Sequence, residues 1–212
     1  MTQPIIKVIN QSKPDANLIT LAADILNNHG IIVAPTETRY GLLASIDSDD
    51  AINRIFELKK RPRSLPTAIF VRSKEEIGRF GHINSVSACL SDRFLPGPFT
   101  LVLKAEAAYP APVVVDEKIG IRFSSSPVVS SILSQTKSNL TATSANLSGD
   151  DEPVTIPEIV HYFGSGVDLY LDAGPLVSKA STVVDCSSEN YRILREGIIS
   201  KAEISTCLRG IL

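Results

Sequence analysis

Leu140-Thr141-Ala142-Thr143-Ser144-Ala145-Asn146-Leu147-Ser148-Gly149 begins as a segment mixing apolar and polar residues and ends in small polar residues and a glycine. That order reads as a strand opening into a loop. Serine and asparagine supply compact donors and acceptors, and Gly149 permits backbone angles that other residues resist, so the loop could close on the polar groups of a ligand. A polar turn joining a strand to the next element is the plainer reading, and this stretch alone does not choose between the two. Its surroundings decide the fold.

Working outward, helical and strand patterns alternate along the chain. Asp15 or Asn17 can cap a helix with the apolar stripe Leu18, Leu21, Ala22, Ile25 and Leu26, and Gly30 stands where a left-handed C-cap is expected. Ile31-Ile32-Val33-Ala34 reads as a buried strand ended by Pro35. Pro35-Thr36-Glu37-Thr38-Arg39-Tyr40-Gly41-Leu42-Leu43 then gathers two threonines, a carboxylate, a guanidinium and a phenol at a strand end. Such ends are where α/β sheets hold ligands, although threonines continuing an edge and a packed Tyr40 explain the same residues. Asp49 or Asp50 caps a second helix, which closes in Lys59-Lys60-Arg61-Pro62-Arg63 before the strand Thr67-Ala68-Ile69-Phe70-Val71. Four cations in five residues either complement the dipole of an exposed helix end or clamp a phosphate or carboxylate.

Capping boxes are read at Ser73 with Glu76, at Thr155 with Glu158, and at Ser200 with Glu203, the last opening a helix through Ile204, Cys207, Leu208 and Ile211. A helix from about Ser85 to Leu95 turns Cys89 toward the core, and Pro96-Gly97-Pro98 breaks the chain before the strand from Phe99 to Lys104. A proline-rich loop at 110–112 leads to Val113-Val114-Val115. Arg122 lies in the otherwise apolar strand Ile119-Gly120-Ile121-Arg122-Phe123, where a buried guanidinium needs an anion, either a carboxylate of the fold or a ligand. Ser126-Pro127 starts another helix. Strand-like runs follow at Val167 to Leu171, Ser181 to Asp185 and Tyr191 to Leu194, with a flexible loop from Ala173 to Ala180 between the first two. The alternation describes an α/β protein on a mixed sheet, with residues 1–212 as one domain.

With 43% hydrophobic residues, 21% charged residues and a net charge of −2, the chain is neither disordered nor a strongly basic nucleic-acid binder. Cys89, Cys186 and Cys207 lie far apart without CxxC spacing, which argues against a disulfide framework or structural zinc. His29, His82 and His161 lack metal-ligand spacing. Met1-Thr2-Gln3-Pro4-Ile5-Ile6-Lys7 shows no basic n-region followed by a long apolar run, and no apolar run approaches the ~18 residues of a membrane span, so an untargeted, cytoplasmic protein is expected.

PTETRYGLL, KKRPRSLP, LPGPFTLVLK, IGIRFSSSP, TATSANLSG, STVVD and ILREG occur together in the order and at the spacing of the YrdC-like family, which the chain resembles from about Gly30 to Gly197. The resemblance implies a twisted, open α/β mixed sheet with flanking helices and a large concave cavity. It implies threonylcarbamoyl-AMP synthesis: L-threonine, bicarbonate and ATP give threonylcarbamoyl-AMP and pyrophosphate, supplying a tRNA-modifying threonylcarbamoyl transferase downstream. The family's KxR and SxN signatures match Lys59 with Arg61 and Ser144 with Asn146, and the resemblance implies that these four would carry the catalytic roles. Lys59 and Arg61, placed at an exposed helix end, would hold phosphates. Thr38, Arg122, Ser144 and Ser181 match threonine-binding positions, and Arg122 thereby gains the amino acid's carboxylate. Lys118, Asn146 and Arg195 match nucleotide-contacting positions. No Walker loop is present, so phosphate binding would rest on side chains. Magnesium would accompany ATP without a dedicated protein metal site, RNA contact would be weak, no membrane is involved, and the protein would be a monomer or homodimer.

The chain departs from the family pattern at three places. Arg39 replaces a small apolar residue, Phe70 replaces a histidine, and the loop Gly174-Pro175-Leu176-Val177-Ser178-Lys179-Ala180 lacks the usual glycine and glutamate. These departures bear on the substrate. The alternative they leave is a paralogue that binds nucleotide or double-stranded RNA without synthase activity.

Overall fold

Eleven strands form one sheet in the computed structural model, which describes residues 3–107, 109 and 112–211. They are β1 (Ile6–Val8), β2 (Ile32–Pro35), β3 (Tyr40–Leu43), β4 (Ala68–Phe70), β5 (Phe99–Lys104), β6 (Val114–Val115), β7 (Lys118–Arg122), β8 (Leu140–Ser144), β9 (Leu169–Asp172), β10 (Thr182–Asp185) and β11 (Arg192–Arg195). The order is β1-β9-β2-β3-β8-β4-β7-β5-β10-β11, with β6 paired to β7. The sheet is mixed: β9 runs parallel to β1 and β2, β4 to β7 and β10 to β5, while the other pairs are antiparallel. Residues 1, 2, 110 and 111, and with the last two most of the proline-rich loop, lie outside the described residues.

Alternation along the strands assigns the two faces. In β2, Val33 joins one apolar cluster while Ile32 and Ala34 join the other, and in β9 Tyr170 opposes Leu169 and Leu171 in the same way. Both faces are covered there, so these strands read as continuous apolar runs. The first cluster packs α2 (Asp49–Leu58), α3 (Ile77–Phe80), α4 (Ser85–Phe94), α6 (Ile156–Phe163) and α7 (Lys201–Cys207) against the sheet. The second packs α1 (Ala16–Asn27) and α5 (Pro127–Gln135). This second cover reaches no further than β4, through Phe70. Beyond it, the same face of β7, β5 and β10 is bare and lines a cavity.

Several elements differ from the sequence expectation. Helix α1 buries Ile19, Ala22, Ala23 and Leu26 and leaves Leu21 38% exposed, because its inward stripe is set by contact with α5 and β2. Its left-handed terminal residue is His29 (φ 64), not Gly30. Gly30 is required for a different reason, since a Cβ there would lie 2.4 Å from Ile25 Cγ2. Ser48, not Asp49 or Asp50, caps α2, and the two aspartates occupy its first turn, where the dipole favours them. The box at Ser73 and Glu76 does not form: Glu76 accepts from Arg72 N (2.8 Å) and Asn139 Nδ2 (3.1 Å) instead. The boxes at Thr155 and Ser200 do form. Cys89 is only half-buried, its thiol 2.9 Å from that of Cys207 where α4 meets α7. Helix α7 ends at Cys207, short of Ile211, and β1 is a parallel edge strand absent from the sequence reading.

Candidate functional site

The cluster at the end of α2 separates into two environments. Lys60 takes a left-handed conformation (φ 49), turning the chain so that Lys59 points inward and Arg61 toward the cavity. Lys59 is therefore not at an exposed helix end; it is 1% exposed. Its Nζ donates to Ser144 O, to Asn146 O (2.7 Å) and to Asn146 Oδ1 (3.1 Å), and its own carbonyl accepts from Ser148 N (2.8 Å). Burial, with Arg61 adding to it and Glu152 opposing, pushes the Lys59 ammonium down to about 7. The three acceptors pull the other way, because a neutral amine cannot donate three bonds.

The loop after β8 is thus built on a buried cation. Ser144 Oγ donates to Asn146 Oδ1 (2.6 Å), Asn146 Nδ2 to Asp150 O (2.8 Å), and Ala145 is buried between them. The spacing of two residues puts Ser144 on the cavity wall, with Asn146 and Lys59 behind it. Arg61 lines the same cavity, held by Nη2 to Pro66 O (2.9 Å) and Nε to Leu65 O (3.3 Å).

The cavity has a volume of about 320 Å³. Its floor takes alternate residues from neighbouring strands: Ala68 and Phe70, Thr100 and Val102, Gly120 and Arg122. Arg122 is 8% exposed, and its guanidinium lies 5.4 Å from the centroid of the Phe70 ring. The sequence left its anion open between the fold and a ligand; the structure supplies one from the fold. Nη2 donates to Glu37 Oε1 (2.8 Å) and Thr38 Oγ1 (2.9 Å), Nε reaches Glu37 Oε1 at 3.3 Å, and Ser124 Oγ donates to Glu37 Oε2. Arg122 does not depend on a ligand carboxylate for its charge balance, yet Nη1 makes no hydrogen bond among the described residues and stays available as a two-proton donor.

Opposite, Arg195 donates from Nε to Ser181 O (3.0 Å) and from Nη2 to Ser181 Oγ (3.0 Å), which lies 3.3 Å from Thr100 Oγ1. The turn after β11 lies close enough for this because residue 197 is glycine: a Cβ there would sit 2.1 Å from Ala180 O. Lys118 lines the cavity with its Nζ 2.9 Å from Asp185 Oδ2. Burial works to raise the Asp185 carboxyl but is outweighed by bonds from Lys118 and Ser187, which hold it low.

Of the nine residues singled out in the sequence, Thr38, Arg61, Lys118, Arg122, Ser144, Ser181 and Arg195 line one cavity, while Lys59 and Asn146 support its wall. Sequence reasoning missed Glu37 as the partner of Arg122 and Glu152 as a cavity carboxylate. Glu37 was visible as the one acid in PTETRYGLL, whereas Glu152 lies in a loop whose spacing carries no signal. The loop at 173–180 is anchored, with Tyr40 Oη donating to Gly174 O (2.6 Å) and Leu176 N to Val154 O (2.8 Å). Among the described residues no group of three or more His, Cys, Asp or Glu side chains could hold a metal ion, and no helix is long and apolar enough to cross a membrane.

Cationic side chains around a floor of alternate strand residues give this α/β protein a cavity whose chemistry suits a small anionic ligand. The chain belongs to the Sua5/YciO/YrdC family, whose sequence profile, described as "Telomere recombination", matches residues 24–197. It is similar to a protein of Methanocaldococcus jannaschii named "Putative threonylcarbamoyl-AMP synthase", with 32% identity over 206 residues covering 96% of this chain and 97% of that one. Among solved structures, Pyrococcus abyssi Sua5 complexed with L-threonine matches with a TM-score of 0.88 at 28% identity, over 96% of this chain but only 61% of Sua5. Escherichia coli YciO matches with a TM-score of 0.88 at 25% identity, over 95% of this chain and 99% of YciO.

Proposed function

We propose that the chain is an L-threonylcarbamoyladenylate synthase. The observation that carries this reading is that Thr38, Arg122 and Ser181 share one cavity with Arg61, Ser144 and Arg195, as adjoining subsites for an amino acid and a phosphate would require. The threonine amine attacks the carbon of bicarbonate and water leaves. An oxygen of the resulting carbamate then attacks the α-phosphorus of ATP, forming the mixed anhydride and breaking the bond to pyrophosphate. Both reactants of the second step are anions, so fixed cations are what the site must contribute.

Arg122, held by Glu37 and Thr38 through Nε and Nη2, offers the free N–H groups of Nη1 to the threonine carboxylate. Thr38 and Ser181 offer hydroxyls to its polar groups. Arg61 and Arg195 meet the phosphates of magnesium-bound ATP, with Lys118 at the rim and Ser144 at the junction of the two subsites. Lys59 acts through Asn146 and the backbone of the loop, fixing where Ser144 stands. The product would feed a threonylcarbamoyl transferase acting on tRNA.

The pure protein incubated with ATP, bicarbonate and labelled L-threonine should release pyrophosphate and form an AMP-linked labelled product. Turnover independent of threonine, or none under conditions where an established synthase works, would refute the reading. Binding of duplex RNA with steep salt dependence and no ATP binding would favour the paralogue that lacks synthase activity.

A further inference from the structure

Glu152 stands in the cavity between two guanidiniums, 3.9 Å from Arg39 Nε and 3.8 Å from Arg195 Nη1. Neither distance is that of a formed hydrogen bond. Arg39 is fixed by Nη1 to Leu176 O (2.9 Å), which leaves its Nε fully buried and without a hydrogen-bond partner among the described residues. Arg195 has Nε and Nη2 satisfied by Ser181, and its Nη1 is the atom turned to Glu152. Two donors thus face one point that a loosely held carboxylate occupies.

Two guanidiniums face that point, and Glu152 is the one carboxylate that lies between them. Burial lowers the proton affinity of both Lys59 and Arg195, and Glu152 is near enough to raise both again. Arg61 lines the same wall. A phosphoanhydride group, with more oxygens and more charge than a carboxylate, can give each guanidinium its own acceptor. Glu152 is also placed to leave. It makes no hydrogen bond among the described residues, and its segment belongs to no helix or strand. The nearest ties on either side are Asp150 O to Asn146 Nδ2 and Val154 O to Leu176 N, each 2.8 Å.

We propose that Glu152 is an internal stand-in for a substrate phosphate: it offsets the charge of Arg39 and Arg195 until a polyphosphate group displaces it, and so makes Arg39 a phosphate ligand whose availability Glu152 controls. This rests on the cavity being the ATP site. It also gives the charge at position 39 a role on the nucleotide side of the cavity.

The test is calorimetric titration of the wild type, Glu152→Gln, Arg39→Gln and the double variant with inorganic pyrophosphate in the absence of magnesium, and with ATP, after thermal unfolding has shown that each variant is folded. Glu152→Gln should bind pyrophosphate about tenfold more tightly than the wild type, the size of one charged contact no longer competed for. Arg39→Gln should bind it more weakly, and Glu152→Gln should have little further effect in the Arg39→Gln background. If ATP and pyrophosphate bind the wild type and Glu152→Gln alike, or the glutamine variant more weakly, the stand-in role is wrong while the synthase reading survives. If ATP binds none of the four proteins, the synthase reading itself fails and this proposal with it.

Discussion

Replacing Lys59 by methionine keeps the aliphatic stem and removes a buried charge, which makes its pH dependence a sharp test of how the loop after β8 is held. At neutral pH the variant leaves two backbone carbonyls, Ser144 O and Asn146 O, without their donor. At about 1 to 3 kcal/mol for a buried polar group left unpaired, partly offset by no longer burying an ammonium, we expect a net loss of roughly 2 to 4 kcal/mol. The sign of the pH effect follows from the titration shift. Burial pushes Lys59 down to about 7 in the folded protein, below the value of about 10.4 in an unfolded chain. Between those values the unfolded chain binds more protons, so this group makes stability rise with pH, by up to about 1.4 kcal/mol per unit; below about 7 both states are protonated and its contribution is flat. Methionine cannot titrate, so the wild-type advantage over Lys59→Met should widen by roughly 2 to 3 kcal/mol between pH 7 and 9. Urea unfolding of both proteins at pH 6, 7, 8 and 9 measures this difference and cancels the other titrating groups. A difference that stays constant or narrows would refute the reasoning, and would mean that the three carbonyl-type acceptors hold the ammonium charged against burial.

Arg122→Met should destabilise the protein by about 3 kcal/mol, since it strands the largely buried Glu37 carboxylate, and adding Glu37→Gln should recover part of that loss; recovery of nothing would disprove the pairing as the cause. Thr182→Val removes a hydroxyl that donates to Ile199 O (2.6 Å) and accepts from Gly197 N (2.9 Å) and Ile199 N (3.0 Å). An isosteric change leaving such buried groups unpaired should cost roughly 2 to 4 kcal/mol by thermal or urea unfolding, and a cost within experimental error would show that water replaces the hydroxyl there.

What the sequence revealed and what it hid divide along a physical line. Local signals were legible wherever the chain's own neighbours decide the outcome. Proline at the start of α5 and the boxes at Thr155 and Ser200 are contacts within one turn, and they formed as read. Glu76 has the spacing of the same box but prefers Arg72 and Asn139, and Asn139 lies 63 residues away along the chain. The apolar runs identified strands but not their faces, because a strand covered on both sides has no polar alternation to show which residues point to a cavity. Arg122 was conspicuous for what it costs, and that cost correctly demanded an anion; choosing Glu37 over a ligand needed the geometry of the hairpin between β2 and β3. The cations at the end of α2 look equivalent in sequence, yet one is nearly inaccessible and another lines the cavity, separated by the left-handed turn at Lys60. A charge whose partners lie in a distant loop cannot be told from a solvated one by spacing. For that reason the KxR and SxN patterns, read separately as two ligand sites, are here one structural unit: the buried cation of the first builds the loop that carries the second.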